Sequence, residues 1–267
     1  MSAKLRFTIL GCGSSAGVPR IGGDWGACDP KNPRNRRRRC SLLVERITGA
    51  GTTRVLIDTG PDLREQLLDA GVSTLDAVIY THPHADHVHG VDDLRVVVYN
   101  MKTRLQIYAD ANTTNDLISR FGYVFVQPKS SNYPPILDLN PIDGPITING
   151  AGGEILVKPF EVEHGRITAL GFRIAGLAYL PDVSDMNETA WATVKNLDIW
   201  VLDALRRDPH PTHVHLEKSL EWISKANPKQ AVLTNMHIDL DYATVDVETP
   251  DNITPAYDGL RLTFDTE

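Results

Sequence analysis

The chain has 267 residues, of which 42% are hydrophobic and 23% charged, and its formal net charge is -7. That balance suits a soluble globular protein with a sizeable core, it argues against a protein that coats nucleic acid, and no apolar run approaches the roughly 20 residues a membrane helix needs. Cys12, Cys28 and Cys40 are odd in number and widely spaced. They make no disulfide framework, and with an N-terminus that leads straight into a strand they point to a reducing cytoplasm.

Residues 5–10 alternate loosely and read as a strand. A loop with Gly11, Gly13 and Gly17 follows and carries Ser14 and Ser15. Its glycine spacing is not the dinucleotide fingerprint, and its N–H groups and hydroxyls suit either a phosphate or a tight turn. Residues 18–39 read as a long loop, a length that in a compact domain is usually functional or mobile. The loop ends in Arg34 and Arg36 to Arg39. Such a run reads first as a solvated, salt-bridged face, with Arg39 the candidate for anion binding. Strands over 40–45 and 53–57 flank a Gly49-Ala50-Gly51 turn, and Asp58 closes the second. A helix over 62–70 stops at Gly71, and a buried strand over 75–80 follows.

That strand runs into Thr81-His82-Pro83-His84-Ala85-Asp86-His87-Val88-His89-Gly90, so four of the nine histidines fall within this one stretch. Packing does not explain such a density, because each neutral imidazole brings a donor and an acceptor that need partners. His82 and His84 are two apart on extended backbone and share a face. Asp86 and His87 open a short helix, where an acidic residue suits the first turn. Nitrogen and oxygen ligands this close, on a backbone that reverses, suit two metal ions.

A helix over 91–100, a strand over 105–109 and a helix over 111–121 come next. Residues 126–145 hold five prolines and read as a surface loop, a lid or a dimer contact. Strands are expected over 146–148, 155–162, 169–174, 176–180, 199–202, 231–233 and 260–264. Helices are expected over 187–195 and 217–226. His164 follows the second of these strands, Asp182 the fourth, and Asn235 and His237 the sixth. His210-Pro211-Thr212-His213-Val214-His215 lies before the last helix. No repeat, linker or low-complexity tract divides the chain, so residues 1–267 read as a single domain.

The segment His82-x-His84-x-Asp86-His87 resembles the signature of the metallo-β-lactamase superfamily. Leu10-Gly11-Cys12-Gly13-Ser14-Ser15-Ala16-Gly17-Val18-Pro19, Asn35 to Ser41, Leu56 to Asp62 and Leu240-Asp241-Tyr242 are similar to one subgroup, the phosphoribosyl cyclic phosphodiesterases of phosphonate breakdown. The resemblance runs along nearly the whole chain. It implies an α/β (α+β) fold, a four-layer αββα sandwich with the site built from loops at one edge of the two sheets. It also implies two divalent metal ions, zinc or manganese with iron as a further choice, suited by nitrogen and carboxylate ligands.

Carried over position by position, His82, His84 and His164 would hold one metal. Asp86, His87 and His237 would hold the other, and Asp182 would bridge them. Relatives have a histidine where this chain has Asn235. His237, two residues on and on the same face of an extended strand end, takes the ligand role here, and Asn235 orients ligand or substrate. Asp58 would lie beneath the metals and orient a ligand histidine. His215 matches the family's phosphate-contacting histidine and serves as leaving-group acid, while His213 reads as a surface histidine. Asp86 counts among the catalytic groups as well as the ligands, and Ser14, Ser15, Arg39 and His215 among the substrate contacts. Relatives hold a structural zinc with several cysteines of the early loop. Cys28 stands alone there, and a closed zinc site needs four ligands, so no such zinc is expected.

The expected activity is metal-dependent phosphodiester hydrolysis of a small cyclic or nucleotide-like phosphate, by a hydroxide shared between the metals. Membrane and nucleic-acid partners are not expected, and a homodimer is left open. The alternatives are a tRNA 3′-processing endonuclease, which needs an RNA-gripping extension, and a thioester or lactone hydrolase. From another class comes a metal-binding sensor or scaffold, for which seven ligands are more than it needs.

Overall fold

The computed structural model describes residues 3–127, 129 and 132–266. Chain contacts cluster into two compact units, one of residues 1–10, 41–156 and 261–267 and one of residues 11–40 and 157–260. Each carries its own mixed sheet. No helix among the described residues is long and apolar enough to cross a membrane.

In the first unit the strand order is Arg261–Thr266, Ala3–Gly11, Ser41–Thr48, Gly51–Ile57, Ala77–Ile79, Leu105–Ala109 and Leu137–Pro141. Pairing is antiparallel at the first end and parallel from Gly51–Ile57 onward. The helices Leu63–Ala70, Leu94–Met101 and Ala111–Phe125 lay Leu63, Leu67, Leu94, Val97, Leu117 and Val124 into one core with Leu56, Val78, Ile107 and Leu137 of the strands. Burying each such side chain stabilises by about 1.5–3 kcal/mol. The apolar spacing predicts these helices. Their ends are set locally: Asp110 accepts from the Thr113 N–H, and Gly71 takes the left-handed φ of 67° that stops the helix before it.

The second unit orders Ile253–Pro255, Gln230–Thr234, Ile199–Asp203, Leu177–Leu180, Ile167–Ile174 and the strand Ile155–His164. The first four run parallel and the last two antiparallel. Strands buried on both faces read as continuous apolar runs, and Ile199–Asp203 is buried throughout.

Among the described residues, two strands and an α-helix lie where the sequence pattern predicts loops. Leu137–Pro141 is an edge strand inside the proline-rich stretch, of which Pro128, Ser130 and Ser131 lie outside the described residues. Proline is tolerated at a sheet edge, where its missing N–H is not needed. The helix Tyr242–Glu248 starts at Asp241, whose carboxylate accepts from the Thr244 N–H, and Ile253–Pro255 is a short edge strand. Both are too brief for periodicity to show.

Candidate metal centre

In the first unit, Gly51–Ile57 and Ala77–Ile79 run parallel with Ile57 opposite Ile79. Asp58 and the Thr81-His82 segment therefore leave the sheet side by side at its carboxyl edge, where α/β sheets bind ligands. Asp58 has φ 64°, a left-handed conformation that aspartate tolerates, and its N–H donates to the Ile79 carbonyl at 3.0 Å. Two further backbone bonds strap the histidine loop down: Thr59 N–H donates to His87 O and Gly90 N–H to Thr59 O, each at 2.7 Å. Gly90 is required there, since a Cβ would fall 2.2 Å from the Gly60 carbonyl oxygen.

The fully buried Asp58 carboxylate gathers this loop. It accepts the Thr81 N–H on Oδ1, and the Thr81 hydroxyl and His87 Nδ1 on Oδ2, all at 2.8 Å. Burial raises its pKa, and the His87 partner draws it part of the way back. Thr81 Oγ1, having donated to Asp58, accepts from His82 Nδ1 at 2.9 Å. These contacts assign the proton of both rings to Nδ1 and the lone pair to Nε2. His82 Nε2 then lies 3.0 Å from His84 Nδ1, and His87 Nε2 lies 3.5 Å from Asp86 Oδ2. Electron-rich atoms that converge so closely call for a proton or a cation between them. The residues present thus fit divalent metal ions of the zinc and manganese kind, which take nitrogen and carboxylate ligands.

In the second unit, Leu180 lies opposite Leu202 and Asp203 opposite Thr234. Asp182, Asp203 and Asn235 therefore end three neighbouring parallel strands. Ligand atoms of Asp182, Asp203 and His213 lie within 4.8 Å of one another. Asp203, fully buried, accepts from His213 Nδ1 at 2.8 Å and Val183 N–H at 3.2 Å on Oδ2. The Asn235 amide donates to Asp182 Oδ1 at 2.8 Å and to Asp203 Oδ1 at 3.2 Å. Burial is the main cause that pushes Asp203 up to about 7; His213 lowers it and Asp182 raises it. His164 ends its strand with Nδ1 donating to the Thr212 carbonyl at 2.7 Å, its ring centroid 4.6 Å from that of His213.

The structure gives His237 other partners than Asp182. Its Nδ1 lies 3.2 Å from Asp239 Oδ1, and its Nε2 accepts from the Arg20 guanidinium. His215 precedes the helix Leu216–Ala226 on extended backbone, half-buried, with Nε2 4.0 Å from Glu217 Oε2. Ser14 is buried and Ser15 exposed. Arg39 is half-buried and packs its guanidinium over Gly17, whose φ is 67°.

The arginine run divides by role. Arg34 stacks on Tyr242 and Tyr257, Arg38 pairs with Asp258 at 3.0 Å, and Arg37 is buried. Arg37 donates to the Leu240 carbonyl at 2.7 Å, the His237 carbonyl at 3.3 Å and Asn35 Oδ1 at 3.3 Å, and reaches Cys28 Sγ at 3.8 Å. Arg20 and Asp203 are residues that sequence reasoning passed over. Asp203 had a visible signal, an aspartate closing an apolar strand as Asp58 does.

A sequence-family model described as a beta-lactamase superfamily domain matches residues 53–238. The chain belongs to the metallo-β-lactamase superfamily. Its fold is the α/β metallo-β-lactamase sandwich. The chain is similar to the crystal structure of a diphosphatase from the PhnP family, with 35% identity, a TM-score of 0.87 and 99% of both chains covered. It is 34% identical over 266 residues to an octanoyltransferase of Porphyromonas gingivalis, covering 98% of this chain and 52% of that protein. It is 26% identical over 176 residues to ribonuclease Z of Bradyrhizobium, covering 64% of this chain and 51% of that one. The chain thus spans about half the length of these two curated relatives. Human tRNase Z, short form, shares the fold at a TM-score of 0.66, 17% identity and coverage of 96% of this chain and 98% of that one.

Proposed function

We propose that the protein is a dinuclear metal-dependent phosphodiesterase acting on a small cyclic or nucleotide-like phosphate. The observation that carries this reading is the end-to-end likeness to a PhnP-family diphosphatase. In it, His82, His84, Asp86, His87, His164 and Asp182 serve as ligands. Two divalent ions held by them would supply a water acidified for use at neutral pH and positive charge against the phosphoryl oxygens.

The chain's own residues do the rest. Asp58 keeps the proton of His87 on Nδ1 and fixes the ring. Arg39 and the Gly13 to Gly17 loop, with the Ser14 and Ser15 hydroxyls, bind phosphate oxygens. His215 gives its proton to the leaving alkoxide.

The likeness to ribonuclease Z favours a second reading, an endonuclease acting on a tRNA precursor. The test sets bis(p-nitrophenyl) phosphate, a ribose cyclic phosphate, an acyl thioester and a tRNA precursor before the metal-loaded protein. The proposal expects hydrolysis of the first two. Efficient cleavage of the precursor with none of the cyclic phosphate promotes the endonuclease, and turnover of the thioester alone promotes an acyl hydrolase.

A further inference from the structure

Metal-binding histidines are held by a recurring device, in which the ring nitrogen away from the ion donates to a carboxylate or carbonyl. In the first unit His87 has it, with Nδ1 on the fully buried Asp58 at 2.8 Å. In the second unit His213 has the same arrangement, with Nδ1 on the fully buried Asp203 at 2.8 Å. Both aspartates stand at the carboxyl end of a parallel strand. His164 is held the same way, by the carbonyl of Thr212, the residue before His213. The backbone of this segment is pinned as well, since Val214 N–H donates to Val183 O at 2.7 Å and Leu205 N–H to Val214 O at 3.1 Å.

Neither residue at the late ligand position is so arranged. Asn235 turns its amide NH₂, a pure donor, onto Asp182 and Asp203. It therefore orients carboxylates. His237 places its Nε2 lone pair under the guanidinium of Arg20 and its Nδ1 proton toward Asp239. In this structure the Arg20 guanidinium faces that Nε2 nitrogen.

We infer that His213 supplies the imidazole ligand that this chain lacks at position 235, binding a zinc- or manganese-like ion together with Asp182, while Asp203 fixes the His213 ring. His237 then belongs to a cationic pair with Arg20 on the substrate side. This inference rests on the dinuclear reading given above. It turns a histidine otherwise read as a surface residue into a metal ligand.

The experiment measures metal content and the Co²⁺ absorption spectrum of wild type and of His213→Ala, His213→Cys and His237→Ala, each checked by circular dichroism. Wild type is expected to hold two ions per chain and His237→Ala to keep both. His213→Ala should lose one equivalent, or bind it about 10–100-fold more weakly, the loss typical of a damaged metal shell. Co²⁺-loaded His213→Cys should gain a thiolate-to-metal charge-transfer band, which no purely structural role of His213 would produce. Two ions kept at wild-type affinity by His213→Ala, or no such band in His213→Cys, overturns the inference. Fewer than two ions in wild type instead removes the dinuclear reading beneath it, so the two failures are told apart.

Discussion

The carboxylate of Asp58 and the ring of His87 meet at 2.8 Å with neither side chain more than 1% exposed. A buried carboxylate is costly unless its partners compensate it, and here Thr81 and His87 supply them. The pair orients an imidazole. Asp58→Ala should therefore weaken metal binding by about 10–100-fold, measured by competition with a chromophoric chelator. Wild-type affinity in that variant would reduce Asp58 to a turn residue.

Arg37 ties the early loop to the segment 237–240 without any metal. Replacing it by Met would leave the Leu240 carbonyl without its donor, while the His237 carbonyl keeps the Leu240 N–H and Asn35 Oδ1 keeps the Tyr242 N–H. At about 1–3 kcal/mol for an unsatisfied buried group, the loss should be about 1–3 kcal/mol. Urea denaturation reads it as a lower midpoint. Cys28→Ser should change stability by less than about 1 kcal/mol, within the range of minor substitutions, and leave metal content unchanged. One equivalent of zinc lost from that variant would restore a structural metal to this loop.

The histidine stretch, the strands beneath it and Asp58 were legible because their signals are local: a dense run of ligands, a buried apolar strand, an aspartate at its end. The metal-binding role proposed for His213 was not legible. That role depends on Asp203, ten residues away, and on Asn235, which the parallel register of Ile199–Asp203 and Gln230–Thr234 brings beside it. Sequence order favoured His237 because it stands nearest the expected position. Order does not show that Arg20, 217 residues away, faces its ring. The arginine run likewise read as one charged face, yet its members split among a buried clamp, a stack on two tyrosines and an ion pair.

Asp258 predicts a pH dependence of stability. Burial is the main cause that pushes its carboxyl up to about 6 from 3.8, with Arg38 opposing. The raised value means that the folded chain holds this proton more tightly than the unfolded one. Its contribution is neutral below pH about 4, falls as pH rises to about 6, and stays fully unfavourable above, by about 3 kcal/mol. Asp258→Asn should remove this slope. The stability difference between variant and wild type, followed by chemical denaturation, should move toward the variant between pH 4 and 7. A difference independent of pH in that window would show that Arg38 holds the carboxylate ionised.

His215 tests the phosphodiester chemistry most directly. As a leaving-group acid and not a ligand, it should be replaceable by Ala with both metals retained. Catalysis on a ribose cyclic phosphate should fall by about 10²–10⁴-fold, the usual worth of a positioned acid–base group. That alkoxide leaves poorly without a proton. On bis(p-nitrophenyl) phosphate the loss should shrink, because p-nitrophenolate needs little protonation. The ring is half-buried, with Nε2 4.0 Å from the Glu217 carboxylate. Equal losses on both esters would leave the phosphodiesterase reading standing and make His215 an electrostatic contact for phosphate. Loss of a metal from His215→Ala would instead move it into the ligand set. The claim for His213 would then have to be reweighed, since the two histidines are separated by Val214 alone on the same pinned segment.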